Sequence, residues 1–325
     1  MKRLLAISRC VLSLGLVAVA SIAPAWAEPV FPVDNQASLA RSFALPELGA
    51  AEVRVPGQPL WRLALDWSNE FVVKQNTNES LTEDGETQRY ALYYARGLGD
   101  GFELNAELPL LITGGGVLDG IIQNWHDFWG LPNGGRQDAP HDRYLFQYVR
   151  DNRTLLKVDQ GTAGLGDLEL GAGWQALPAL ALRAMVKLPT GDAGKLTGGN
   201  AGGALWADYD PFKGSARWFG FLSLGASYNA RSEVLSAQQR RFVGFAGGGV
   251  GFRIFRPFAL MAQLYGHTPL YSGSEIGALT RDGLQIAFGG RYDFNARTQL
   301  NLGFQEDLSV DTSPDFSIHL DVTLR

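Results

Sequence analysis

Three sets of side chains in this sequence have types and spacings that chemistry could use. His126 beside Asp127 offers a base next to a carboxylate, and Ser272 and Ser274 lie a few residues from His267. A hydrolase working at a lipid surface would need such a Ser-His-acid set brought together by the fold. The third set is larger: Arg62, Asp66, Arg89, Glu103, Glu107, Asp167, Glu169, Arg183, Lys187 and Arg291 are spaced at alternate positions within apolar segments. Charges of both signs on one face can pair among themselves as a structural network, or line a passage and select what crosses it. A lone loop histidine is more often a polar surface group, so the sequence assigns no catalytic residue. Gly114-Gly115-Gly116 and Gly247-Gly248-Gly249 lack the strand-to-helix frame and Lys-Ser/Thr of a phosphate loop. The acidic run Glu83-Asp84-Gly85-Glu86 lacks metal-site spacing, although it could bridge cations of lipopolysaccharide. Neither cofactor nor metal is expected.

The elements that would position these charges are strands. Trp61, Leu63, Leu65 and Trp67 alternate with Arg62, Ala64, Asp66 and Ser68, a period of two that recurs through the chain. Further segments fall near 89–94, 102–110, 167–175, 180–188, 203–209, 217–229, 241–254, 257–265, 283–293, 298–306 and 315–325. Short connections such as Leu177-Pro178-Ala179 and Asn295-Ala296-Arg297 take turns with long ones near 73–87, 112–165, 189–202, 230–240, 266–282 and 307–314. About twelve antiparallel strands, with short turns at one end and long loops at the other, predict an all-β transmembrane barrel. Trp61, Phe102, Trp174, Trp218, Phe258 and Tyr292 would girdle the short-turn end, with Trp67, Tyr90, Tyr228, Phe304 and Phe316 at the other. With that register Glu169 faces Lys187 across a turn, an opposite-charge pair. Inward glycines at 171, 173, 289 and 303 would leave room for a ligand, water or an inserted loop.

The loop 112–165 is too long for a connector. Asp119 can cap a helix that Gly130 and Pro132 end, and Ile121, Ile122, Trp125, Phe128 and Trp129 give it an apolar stripe. The loop is therefore expected over or inside the barrel mouth as a plug or lid, with Asp119, Trp125, His126, Asp127, Trp129 and Arg136 as its candidate residues.

Residues 1–27 read as a signal peptide: a basic start, an apolar run from Val11 to Ala23, and Ala25-Trp26-Ala27 as the cleavage site. The barrel would then occupy 28–325, exported through the periplasm to the cell outer membrane of a Gram-negative bacterium. Three of the 28 basic residues (Lys2, Arg3 and Arg9) leave with the leader, so 25 remain against 33 acidic ones. That balance argues against a nucleic-acid partner. Cys10, the only cysteine, also leaves, so no disulfide supports the fold.

Several motifs together resemble a family of Gram-negative outer-membrane β-barrel proteins of unknown function. They are Phe31-Pro32-Val33-Asp34-Asn35-Gln36, Leu45-Pro46, Asp84-Gly85-Glu86-Thr87, Gly115-Gly116-Val117-Leu118-Asp119-Gly120, Gly164-Leu165-Gly166-Asp167, and the run from Asn124 to Arg136. Lys187-Leu188-Pro189-Thr190-Gly191-Asp192 is also similar, more weakly, to barrels encoded with aromatic-degradation pathways. The resemblance implies a barrel among outer-membrane lipid and lipopolysaccharide, inserted by the barrel assembly machinery, and carries no catalytic residue. The chain ends on Arg325 with Leu324 in the outward register, where such barrels usually end on an aromatic. The expected function is a narrow channel or uptake protein for a small solute, apolar or aromatic ones included. The alternatives are an outer-membrane lipid hydrolase and a structural or interaction barrel with a filled lumen.

Overall fold

A computed structural model describes residues 30–49, 51–130 and 135–325. The expected leader and residues 131–134 lie outside the described residues, as do the side chains of Trp125, His126 and Trp129. Among the described residues fifteen strands run in chain order: β1 (Pro59–Gln75), β2 (Glu79–Gly99), β3 (Phe102–Gly114), β4 (Leu145–Arg150), β5 (Arg153–Val158), β6 (Ala163–Leu165), β7 (Leu168–Leu177), β8 (Leu180–Leu188), β9 (Gly202–Tyr209), β10 (Trp218–Asn229), β11 (Phe242–Phe255), β12 (Phe258–His267), β13 (Gly283–Asp293), β14 (Thr298–Asp307) and β15 (Phe316–Leu324). All but β4, β5 and β6 form an antiparallel barrel of twelve, each strand paired to its neighbours. It closes where β1 meets β15, with Trp61 opposite Leu324 and Asn69 opposite Phe316. Closure gives every strand edge a partner, the condition for crossing hydrocarbon with extended chain.

Alternation sets which face looks outward. Leu63, Leu104 and Leu224 expose 59%, 51% and 71% of their surface, while Arg62, Glu103 and Ser223 beside them are buried. A water-soluble sandwich would bury those leucines; a barrel in lipid exposes them. Aromatic rings gather at both rims: Phe102 stacks on Trp174 at 6.1 Å, and Tyr228 meets Phe242 at 5.1 Å. No helix among the described residues is long and apolar enough to cross a membrane.

Two expectations about loops are corrected. The segment 73–87 is strand on both sides of a three-residue turn, where the Asn76 carboxamide accepts the backbone N–H of Asn78 and Glu79. Its residues are polar on both faces, which hid the period of two. The loop after β3 does not fill the lumen. Its helix α1 (Asp119–Trp129) starts against the outward face of β1 and β2, where Asp119 meets Asn69 and Glu86 accepts the Val117 and Leu118 N–H, and β4–β5 extends the wall by pairing with the far end of β2. β6 continues the line of β7 beside β3, with Leu165 opposite Leu110.

Candidate functional site

The lumen is filled by the chain's own N-terminal segment. The Phe31 N–H donates to the Gln263 carboxamide halfway along β12, and the segment then climbs toward the long loops. There the Asn35 carboxamide bonds His267 at 2.8 Å and the Thr312 carbonyl at 2.9 Å. Ser38 gives both its N–H and its hydroxyl to Glu70. One 3-10 turn, Ala40–Ser42, reverses the direction. The descending limb passes Asn229, whose side chain accepts from the Ala44 N–H at 2.6 Å, and Gln175, which binds Ala51 and Val53. It leaves past Glu103, which accepts from the Arg54 N–H at 2.8 Å, and Pro56 bridges to Gly97 before β1 begins.

Side-chain sizes on wall and plug match. A Cβ on Gly303 would lie 2.8 Å from the Phe31 ring, and one on Gly247 would lie 2.6 Å from Leu48. Val30, Phe31, Val33, Leu45 and Leu48 are buried in one apolar cluster with Met185, Phe221, Phe245 and Met261 of the wall. At the long-loop end Leu39 and Phe43 join Tyr144, Phe146, Tyr148, Leu270 and Tyr271, closing the mouth. At the other end a cavity of about 290 Å³ remains, lined among others by Glu47, Arg54, Tyr93, Arg183, Trp206 and Thr323.

The ten alternating charges all sit on the lumen side, most of them paired. Arg62 binds Glu107 at 3.0 Å and also the plug's Glu47. Arg89 binds Asp66 at 2.9 Å, with Glu107 as a second partner. Arg183 joins Asp208 at 2.8 Å and Glu103. His319 stands between Asp66 at 2.6 Å and Asp321 at 2.9 Å. Arg291 donates to Asn301 at 3.1 Å and stacks over Phe219. Glu169 does face Lys187 in the ladder, but the ammonium binds Asp167 instead, and Glu169 makes no ion pair among the described residues. On the plug, burial pushes the Asp34 carboxyl up to about 6 against the pull of Arg89. Burial likewise raises Glu47, with Arg62 opposing.

Of the loop candidates, Asp119 and Arg136 pair at 2.5 Å, but outside the wall. Asp127 lies on the same exterior helix, so none of the three gates the lumen from within. Among the described residues His267 pairs with neither Ser272 nor Ser274. His267 bonds Asn35 and the Thr268 carbonyl, while Ser272 donates to the Gln238 carbonyl and Ser274 to Glu79. Among the described residues no group of three or more His, Cys, Asp or Glu could hold a metal. The residues sequence reasoning missed are the plug's own, 30–56. Their signal was present in Gly247 and Gly303, inward positions without side chains that an inserted segment must occupy.

Fold and lumen together define a twelve-stranded transmembrane barrel whose interior is occupied by its N-terminal segment. The chain belongs to the family described as protein of unknown function (DUF3187), whose model matches residues 6–325. No curated protein matches it. Among solved structures it resembles an outer-membrane channel from Pseudomonas putida F1, at 16% identity and TM-score 0.54, covering 84% of this chain and 97% of that one. The translocator domain of the autotransporter NalP from Neisseria meningitidis (10%, TM-score 0.47) aligns over 83% of this chain and 89% of its own. The toluene transporter TbuX from Ralstonia pickettii (11%, TM-score 0.44) aligns over 91% and 100%.

Proposed function

We propose that this protein is an outer-membrane channel for a small polar solute, closed in the described state by residues 30–56. The observation that carries this reading is how the wall charges are satisfied. Arg62, Arg89, Arg183 and Lys187 each have a carboxylate partner on the wall itself: Glu107, Asp66, Asp208 and Asp167. Withdrawing the plug therefore takes Glu47 from Arg62 and Ser38 from Glu70, but leaves each of these four wall cations with a carboxylate, so none becomes an unpaired buried charge. The passage left behind is ringed by ions, which suits a polar solute better than an apolar or aromatic one. On this reading the short turns face the periplasm and the mouth closed by Leu39, Phe43 and Tyr271 faces outside.

A sealed structural barrel is the second reading, favoured by the apolar plug residues Val30, Phe31 and Leu48, each fully buried. Planar-bilayer conductance separates the two. The channel reading expects brief, rare openings from the full chain and steady conductance once 30–56 is deleted. Silence from both, with the barrel folded, would leave the sealed barrel. Solutes that block the deleted form, polar and aromatic screened side by side, would identify the cargo class.

A further inference from the structure

The exterior helix has a surface of its own to account for. Its seat is traced from Trp67, whose indole N–H donates to Glu86 at 2.9 Å. The other Glu86 oxygen accepts the backbone N–H of Val117 at 2.9 Å and that of Leu118. Asp119 contacts Asn69 at 3.4 Å and pairs with Arg136, whose guanidinium lies 4.8 Å over the Phe71 ring. Trp67, Asn69 and Phe71 share the outward face of β1 with the exposed Trp61 and Leu63. The helix thus starts one ladder step beyond the girdle of Trp67 and Tyr90, beside Ile112 at the top of β3.

Leu118 and Ile122 turn inward and are buried. Val117, Ile121 and Phe128 turn outward and expose 64%, 60% and 76%. At 3.6 residues per turn Ile121 and Phe128 fall about 20° apart on the helix, with Asn124 and Asp127 to one side, and Val117 lies just before its first turn. The stripe continues the apolar belt of Tyr90, Leu110 and Ile112, which are also exposed. Helices with a narrow apolar face and a polar flank lie in the headgroup–acyl boundary, and the helix sequence carries Trp125 and Trp129, a residue type enriched at that depth.

We propose that α1 is an interfacial helix, docked on the outer wall by Glu86, Asp119 and Arg136, that seats Val117, Ile121 and Phe128 in the lipid leaflet at the long-loop rim. The proposal rests on the membrane-barrel reading and gives the long loop a lipid partner rather than a solute to gate. The test uses the full chain, in a Cys10→Ser background, refolded into phosphatidylcholine vesicles. Single cysteines replacing Ile121, Phe128, Leu110 or Lys157 carry a nitroxide, and its collisions with oxygen and with a water-soluble nickel chelate are compared. Ile121 and Phe128 are expected to favour oxygen, as belt position Leu110 does, while Lys157 on β5 favours nickel. Either α1 label suffices if the other variant does not fold. Aqueous readings at both α1 positions with a lipid reading at Leu110 would overturn the proposal alone. An aqueous reading at Leu110 would overturn the membrane barrel with it.

Discussion

Lys187 stands directly across the β7–β8 ladder from Glu169 and binds neither of its oxygens. Its ammonium instead joins Asp167, which also accepts the N–H of Gly191 at 2.9 Å and of Gly199 at 2.8 Å, and it donates to the plug's Arg41 carbonyl at 2.9 Å. Lys187 therefore ties the wall, the 189–201 loop and the turn of the plug to one point. Lys187→Met leaves the buried Asp167 without its counter-ion and is expected to cost about 3–5 kcal/mol. Glu169→Gln is expected to be near neutral. Urea unfolding of the two variants in detergent checks the contrast, and equal losses would refute the assignment.

Phe31 packs fully buried against Gly303. Phe31→Ala should weaken plug seating by about 3–5 kcal/mol and raise the open fraction in bilayer recordings, while the barrel still runs as a folded species on gels. Gly303→Val should act in the same direction by displacing the ring. An unchanged open fraction in both would show that Phe31 does not hold the plug.

The plug's acids give its seating a pH dependence. Asp34 holds its proton up to about 6 when seated but ionises near the ordinary 3.8 when free, so seating takes up a proton. Closure is then firmest below pH 4 and weakens as pH rises through 6. Glu47, raised by burial, acts with the same sign. Open probability at pH 7.5 should exceed that at pH 5, and Asp34→Asn should flatten the difference. A rise on acidification would have the wrong sign.

The deleted channel should prefer cations, though weakly. Asp66, Glu70, Glu103, Glu107, Asp167, Glu169, Asp208 and Asp321 outnumber Arg62, Arg89, Arg183, Lys187 and Arg291 on the lumen side, even with His319 counted as a cation. A reversal potential in a salt gradient reads the preference directly, and anion selectivity would mean the acids are neutral or screened.

Twelve strands and the lumen-side charges were legible because a barrel in lipid enforces a strict alternation that Trp61 to Ser68 displays residue by residue. The β1–β2 extension was not, since from Lys74 to Thr87 polar residues occupy both faces and only Leu81 marks the side that packs against Tyr148 and Phe146. The plug was hidden for a different reason. Residues 30–56 bury against all sides of a lumen, so Val30, Phe31, Val33, Leu45 and Leu48 follow no period, and their partners are distant in sequence. The loop after β3 was expected over or inside the mouth: Tyr144, Phe146 and Tyr148 do pack over it with Leu39 and Phe43, while Leu118 and Asp119 at the foot of α1 dock on Glu86 and Asn69 of the outward face.

The most direct test of a removable plug is a reversible tether. The Ala44 Cβ lies 2.8 Å from where a Cβ on Gly202 would stand, close enough for Ala44→Cys/Gly202→Cys to cross-link with a small shift of the loop. Single-channel conductance of this variant should be absent when oxidised and return as intermittent openings on reduction. Equal conductance in both states would contradict the account, because solute would then pass with residues 30–56 still in place.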